Sequence, residues 1–274
     1  MRLATIRTTT GTRAVRIDAS RAVETGHADV GALLADADWT KIAADASGRS
    51  YQLEDLQYAP LIPRPGKIIC VGINYKAHIE EMGRDLPTHP TLFAKYAEAL
   101  IGARDDIILP SASTAMDWEA ELAVVVGTRV RNVDEDGARA AIAGYTIIND
   151  VSARDWQYRT LQWLQGKTFE STCPLGPHLV TPDEAGHGLE LRCLVDGETV
   201  QKANTSDMVF GPAATVSYAS QILTLNPGDV IALGTPGGVG HARTPPRYLR
   251  DGTVLTTSIS GLGECVNVAR RAAP

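Results

Sequence analysis

The sequence has little that would place the protein on a nucleic acid or in a membrane. Among its 274 residues, 26 basic side chains face 32 acidic ones, so the formal net charge is −6. A nucleic-acid-binding surface would need a basic patch, and no basic run occurs. The apolar stretches are far shorter than the roughly 20 residues of a membrane-spanning helix. We therefore expect neither kind of partner.

Cysteines and targeting signals are also scarce. The chain has four cysteines, and no two of them are spaced as Cys-x-x-Cys, so neither a zinc motif nor a redox motif is supported. We expect Cys70, Cys173, Cys193 and Cys265 to be small buried hydrophobic side chains. The N-terminal segment is charged and alternating, and it lacks the apolar core of a secretory signal. This pattern predicts a cytoplasmic protein.

The order of the segments predicts two domains. Residues 1–62 form a small N-terminal α/β domain, with strand patterns at 2–8 and 13–18 and a helical pattern at 30–44. Three prolines and a glycine within 60–66 predict a rigid linker. The second domain is residues 66–274.

Strands dominate this second domain, so the sequence predicts a mixed α+β, β-rich fold and not a doubly wound sheet. Strand patterns occur at 67–71, 121–126, 145–148, 191–195, 198–200, 230–233, 254–259 and near 266. Helical patterns occur at 74–82, 134–143, 152–164 and 211–224. Asp196-Gly197 lies between two strand patterns and predicts a hairpin turn.

The clearest signal for chemistry is Asp-Trp-Glu-Ala-Glu at 117–121, just before an apolar strand pattern. Alternation along a strand would place Glu119 and Glu121 on the same face, where a divalent cation could compensate their charges. Asp150, at the exit of the next strand pattern, is a candidate third ligand. Three carboxylates favour magnesium, manganese or calcium over zinc. The alternative is a solvated acidic strand end with Asp150 as a helix cap.

Three further motifs are less specific. His78 and Glu81 are three residues apart, so on a helix they share a face. Glu81 could orient His78 as a general base that activates water, or the two could form an ordinary surface contact. Gly-Lys-Thr at 166–168 is not a phosphate loop because Leu161 stands where the first glycine should be. Lys167 is then a surface lysine or an isolated cation in a polar pocket. The glycine-rich loop 234–240 is as consistent with a structural turn as with a ligand loop.

In combination, these segments resemble the fumarylacetoacetate hydrolase family. The resemblance runs from about residue 66 to the C-terminus and is carried by several segments in family order. These are VGINYKAHIEEMG, PTLFAKY, DWEAELAVVVG, GYTIINDVSARDWQ, LQGKTF with CPLGPHLVT, LTLNPGDVIALGTPGGVG and GLGECVNV. The N-terminal residues also resemble the small leading domain of many bacterial members.

The resemblance implies a role for each matching position. Family metal ligands fall on Glu119, Glu121 and Asp150, and the cofactor implied is Mg²⁺ or Mn²⁺, with Ca²⁺ as a substitute. The family's water-activating pair, which lies within a lid, falls on His78 and Glu81, and its active-site lysine falls on Lys167. The family's substrate contacts fall on Arg154, Gln157, Thr235 and Lys95. A homodimer is also implied.

Family substrates resemble 2,4-dioxo acids, which leads to an expected reaction. His78, oriented by Glu81, would activate a water that attacks the distal carbonyl, and the metal would stabilise the enolate released by carbon–carbon cleavage. The products would be pyruvate and a carboxylic acid. Leu161 stands where the mammalian type has a substrate-contacting tyrosine, so we do not expect fumarylacetoacetate itself as the substrate.

Other outcomes of the same enolate chemistry stay open. Protonation at another carbon gives isomerisation, and loss of a carboxylate gives decarboxylation of an acid such as oxaloacetate. A metal-binding protein that has lost catalysis is the remaining alternative.

Overall fold

The computed structural model of the chain describes residues 1–81, 83 and 85–272, with every side chain among them except those of His78 and Glu81. Strands outnumber helices in this part of the chain. The strands are β1 (Arg2–Thr8), β2 (Gly11–Ile17), β3 (Arg21–Glu24), β4 (Ser50–Gln52), β5 (Ile68–Gly72), β6 (Thr91–Lys95), β7 (Leu100–Ile101), β8 (Ile107–Leu109), β9 (Met116–Asp117), β10 (Ala120–Val126), β11 (Ile142–Asn149), β12 (Ser152–Ala153), β13 (Cys173–Val180), β14 (Glu190–Val195), β15 (Glu198–Asn204), β16 (Val230–Ala232), β17 (Val254–Ile259) and β18 (Gly263–Arg271).

The helices are short. They are α1 (Val30–Leu34), α2 (Trp39–Ala44), α3 (Lys76–Glu81), α4 (Glu135–Ala141), α5 (Arg154–Gln157), α6 (Leu164–Lys167), α7 (Pro182–Ala185) and α8 (Pro212–Ile222), with single 3-10 turns at Leu53–Asp55, Ala97–Ala99, Thr205–Asp207 and Gly240–Ala242. Within the described residues no helix has the length and apolar character needed to cross a membrane. The fold is mixed α+β and strand-rich, which confirms the predicted class.

Two large sheets form the framework. The first has eleven strands in the order β4-β3-β2-β1-β13-β11-β10-β16-β5-β6, with β7 also paired to β13. The second has five strands in the order β15-β14-β17-β18-β8, and β9 and β12 form a small separate pair. Most neighbouring strands are antiparallel, whereas β16 is parallel to β5 and β18 to β8.

The central strand β10 is buried on both faces, and from Leu122 to Val126 its sequence is a continuous apolar run, as expected for a strand covered on both sides. Leu122, Val124 and Val126 on one face join the core that contains the inner residues of the second sheet. Ala123 and Val125 on the other face join the core that contains α1. The strand that carries Glu121 is therefore fixed between two hydrophobic layers.

The N-terminal segment is joined to the rest of the chain by strand pairing. Strand β1 pairs with β13, with Leu3 opposite Leu179, so β1 to β4 extend the large sheet. The domain boundary between residues 62 and 66 stays a prediction.

Two of the predicted helices differ from the observed structure. The predicted helix at 30–44 is interrupted after Leu34, where Asp36 Oδ1 accepts from the Asp38 amide and competes with helical hydrogen bonding. The predicted helix at 152–164 is wrong over most of its length. Ser152 and Ala153 pair with β9 instead, and α5 ends at Gln157.

Strand β13 was not predicted because two prolines and a glycine weaken its strand signal. The prediction for the cysteines is confirmed, since all four are free and buried.

Candidate active site

Three carboxylates meet where the central strands of the large sheet end. Glu121 lies near the start of β10, Glu119 just before it, and Asp150 directly after the neighbouring strand β11. One carboxylate oxygen from each lies within 4.8 Å of the others, and all three side chains are buried. We call these residues the carboxylate cluster. The alternative of a solvated acidic strand end is excluded by this burial.

The backbone of the cluster is held by local hydrogen bonds. The Asp150 amide donates to the Glu119 carbonyl at 2.8 Å, and the Glu119 amide donates to Asn149 Oδ1 at 2.9 Å. The Gly234 amide, just beyond β16, donates to Glu121 Oε2 at 2.7 Å. Gly234 has φ +86°, and a Cβ there would lie 2.8 Å from the Val71 carbonyl oxygen, so the loop requires glycine.

Two buried lysines pair with the cluster. Lys167 Nζ lies 2.6 Å from Glu119 Oε2 and 3.0 Å from Asp150 Oδ2. Lys95 Nζ lies 2.9 Å from Asp150 Oδ1 and also contacts the Lys167 carbonyl oxygen. Burial would lower the pKa of Lys167, but the carboxylates of Asp150 and Glu119 outweigh it and raise that pKa. Burial would likewise lower the pKa of Lys95, but the carboxylate of Asp150 outweighs it and raises that pKa. Both lysines are therefore ammonium ions at neutral pH.

Within the carboxylate cluster, the charge of Glu121 is the least compensated. Its side chain is 1% exposed, and its described hydrogen-bond donor is the Gly234 amide. Burial raises its pKa well above the usual range, and the charges of Asp150 and Glu119 raise it further. A divalent cation would remove this cost, and three carboxylates are hard oxygen donors of the kind that Mg²⁺ and Mn²⁺ prefer. The residues present therefore fit a divalent metal.

Arg154 links the cluster to Asp117. Its Nη2 lies 2.7 Å from Glu119 Oε1, its Nε donates to Asp117 Oδ2 at 2.8 Å, and its Nη1 donates to Gln157 Oε1 at 2.8 Å. Asp117 is fully buried and also accepts from the Gly240 and His241 amides at 2.7 and 2.9 Å. One carboxylate thus connects Arg154 to the glycine-rich loop.

A cavity of about 430 Å³ opens above the cluster. Its walls come from the end of β5, from β6, from α5 and α6, and from the loop after β16 with its 3-10 turn. The described lining residues are Val71, Gly72, Ile73, Phe93, Glu119, Glu121, Arg154, Gln157, Tyr158, Trp163, Lys167, Thr235, Val239, His241 and Ala242. The cavity therefore joins buried charges to an apolar wall that an organic acid could contact.

The structure brings most of the predicted site residues together. Glu119, Glu121, Arg154, Gln157, Lys167 and Thr235 line the cavity. Asp150 is not among the described lining residues, but it contacts Lys167 at 3.0 Å. Lys95 does not occur among the described lining residues. It is buried against Asp150, so its contacts are those of a support for the cluster. The side chains of His78 and Glu81, the predicted pair within the lid, lie outside the described residues.

Sequence reasoning missed Asp117, Tyr158 and His241. Asp117 had a usable signal, because 117, 119 and 121 alternate along one extended segment and share a face. The other two had none, because the cavity brings them together through contacts between α5 and the loop after β16.

Fold and site define a strand-rich enzyme with a buried carboxylate cluster suited to a divalent cation. A family model for the C-terminal domain of fumarylacetoacetate hydrolase matches residues 67–270. The chain belongs to the fumarylacetoacetate hydrolase family.

Three proteins that are similar to this chain have names that state different activities. A mitochondrial oxaloacetate tautomerase of Xenopus laevis is 44% identical over 83% of this chain and 72% of its own length. The 5-carboxymethyl-2-hydroxymuconate delta-isomerase of Mycobacterium smegmatis has 35% identity and a TM-score of 0.83, with all of both chains covered. A fumarylacetoacetate hydrolase of Exiguobacterium antarcticum has 30% identity and a TM-score of 0.89, covering 99% of this chain and 100% of that one.

Proposed function

We propose that this protein is an isomerase that interconverts the keto and enol forms of a 2-oxo dicarboxylate, of which oxaloacetate is the simplest example. The proposal rests on one observation of the site. A buried ammonium ion, that of Lys167, lies against the carboxylate cluster at the wall of a cavity that a small acid can enter. This arrangement suits a reaction that builds negative charge on the oxygen of a 2-oxo group.

The similar proteins favour isomerisation among the reactions that such a site can support. The tautomerase is 44% identical and the isomerase 35%, whereas the hydrolase is 30% identical. Hydrolysis of an acylpyruvate, which the sequence predicted first, is therefore the weaker candidate. The likeness in fold to the hydrolase keeps it as the second one.

Glu119, Glu121 and Asp150 would hold the divalent cation, Mg²⁺ or Mn²⁺ with Ca²⁺ as a substitute. Such a cation, when bound, acts as a Lewis acid that withdraws electrons from a 2-oxo group. The identity of the ion in the cell stays a prediction.

Lys167 contributes a fixed positive charge. Its Nζ is held by Glu119 and Asp150, and it is protonated at neutral pH because these carboxylates raise its pKa. An ammonium in a buried site stabilises a developing oxyanion more strongly than one in water. Lys167 would therefore stabilise the enolate oxygen and would not remove the proton from carbon.

The proton itself must leave C3 of the substrate and reach the 2-oxo oxygen, or move in reverse. The family resemblance gives His78 and Glu81 the role of activating water, and we propose that in this reaction the same pair transfers the proton. Helix α3, which carries both, follows Gly72 and Ile73 of the cavity wall within a few residues. The proposed role is a proton relay, with no water consumed.

The decisive experiment separates the possible reactions on one enzyme sample. Oxaloacetate enol would be followed by its ultraviolet absorbance, with chelator and after restoring Mg²⁺ or Mn²⁺, and pyruvate would be measured in parallel. Isomerisation predicts metal-dependent loss of enol without pyruvate. Pyruvate from oxaloacetate would indicate decarboxylation, and pyruvate from an acylpyruvate would indicate hydrolysis. Stoichiometric metal without any turnover would indicate a binding protein.

A lysine variant tests the observation behind the proposal. Lys167→Met should lower kcat on the order of 10²–10³-fold, the usual cost of losing one group that stabilises an oxyanion. Lys202→Met is the control, because Lys202 is 59% exposed and pairs with Glu190 at the surface. Unchanged turnover in Lys167→Met, with normal folding, would contradict the assigned role.

A further inference from the structure

The cavity has a buried floor and an exposed mouth. Glu119, Glu121 and Lys167 form the floor, where Glu121 is 1% exposed. Tyr158 and His241 line the same cavity at the surface, and Tyr158 is 60% exposed. A substrate bound at the floor by its 2-oxo acid end would therefore direct its other end toward Tyr158 and His241.

The imidazole at the mouth is held in a defined position. His241 Nδ1 lies 2.9 Å from the Tyr248 hydroxyl. Its ring is 5.2 Å from the Tyr158 ring at an interplanar angle of 31°, so the two are nearly stacked. These contacts restrain the ring from two sides, and they leave Nε2 without a described protein partner.

Asp117 connects the mouth to the floor. Its Oδ2 accepts from the His241 amide at 2.9 Å and from Arg154 Nε at 2.8 Å. Arg154 in turn lies 2.7 Å from Glu119. The main chain of His241 is therefore linked to Glu119 through Asp117 and Arg154, by one backbone hydrogen bond and two ionic contacts.

On the basis of the proposed function, we propose that His241 Nε2 binds the distal carboxylate of the 2-oxo dicarboxylate and so selects diacids over monoacids. When the Tyr248 hydroxyl donates to Nδ1, the neutral imidazole carries its proton on Nε2 and can donate to a carboxylate. The cavity lining also includes the apolar side chains of Val71, Phe93 and Val239, which suit contact with the carbon chain between the two acid groups.

Two variants at the same position test this role. Glutamine places an amide donor near the position of Nε2, whereas leucine removes the donor and keeps the volume similar. His241→Leu should raise KM for oxaloacetate about tenfold, the effect of one hydrogen bond to a charged group, with little change in kcat. His241→Gln should recover most of the affinity. His187→Leu is the matched control, because His187 is exposed and lines a different pocket.

Inhibition by oxalate separates binding at the mouth from damage to the floor. Oxalate has no distal group, so its inhibition constant should be the same in wild type and His241→Leu. Equal weakening of oxalate and oxaloacetate would overturn the proposal, as would an unchanged KM in the leucine variant. An inactive wild type would instead overturn the proposed function and this proposal with it.

Discussion

Two polar regions of this molecule, one buried and one partly buried, offset the cost of removing polar groups from water in different ways. In the active site, buried carboxylates are paired with the buried cations Lys95, Lys167 and Arg154. At the junction of β13 with the N-terminal strands, His178 and Tyr58 share one contact of 3.3 Å between Nε2 and the hydroxyl. Burial lowers the pKa of His178 to about 4 and raises that of Tyr58, so both stay neutral near pH 7.

The comparison of the two regions indicates where the protein can bind charged ligands. The neutral pair of His178 and Tyr58 needs no counter-charge, and its environment mainly opposes protonation of His178. A dense set of paired charges costs desolvation energy that a purely structural role does not require. We therefore assign chemistry to the first region and a structural role to the second.

Breaking one charged pair should have the largest effect on stability. Lys95→Met should lower the free energy of unfolding by about 3 kcal/mol, because breaking a buried pair leaves a carboxylate less compensated. Urea denaturation in the presence of chelator measures this. Lys41→Met is the control: Lys41 pairs with Asp45 at the surface, where it is 77% exposed, and we expect a change below about 0.5 kcal/mol. Equal effects would contradict the assignment of Lys95 as a buried support.

Neutralising one carboxylate should weaken metal binding. Glu121→Gln should reduce Mg²⁺ or Mn²⁺ affinity by about 100-fold, since even the loss of an outer contact costs 10–100-fold in metal sites. The metal-free variant should be at least as stable as wild type, because a costly buried charge is removed. Titration calorimetry and thermal unfolding with chelator measure the two effects. Glu264→Gln, at an exposed surface pair, should change neither.

The contribution of the His178–Tyr58 pair to stability should depend on pH. Because burial favours neutral His178, the unfolded chain binds a proton near pH 6.5 whereas the native protein does so only near pH 4. Stability is therefore lost as pH falls through this window, by about 2 kcal/mol between pH 7 and pH 5. Comparing unfolding of wild type and His178→Gln across the window isolates this contribution. A slope unaffected by the substitution would show that His178 is not the group responsible.

The sequence was most informative where local pattern and chemistry coincide. Glu119, Glu121 and Asp150 follow or precede strongly apolar strands, so their convergence at one sheet edge could be predicted. The early end of the helix predicted at 152–164 could not be predicted, because Gly166 packs against Gln157 so closely that a Cβ would lie 2.5 Å from its amide nitrogen. That packing is a tertiary constraint that overrides helical periodicity.

The sequence by itself determined the strand-rich class, the carboxylate residues of the candidate metal site and the family. Strand alternation and residue chemistry are local properties that a sequence shows directly, and the order of the motifs along the chain indicates the family. Only the tertiary structure decided that Lys95 supports Asp150 and that Asp117 joins Arg154 to the glycine-rich loop. It also placed His241 at the mouth of the cavity. These contacts join residues far apart in the chain, and their distances depend on how β10, β11 and β16 align within one sheet.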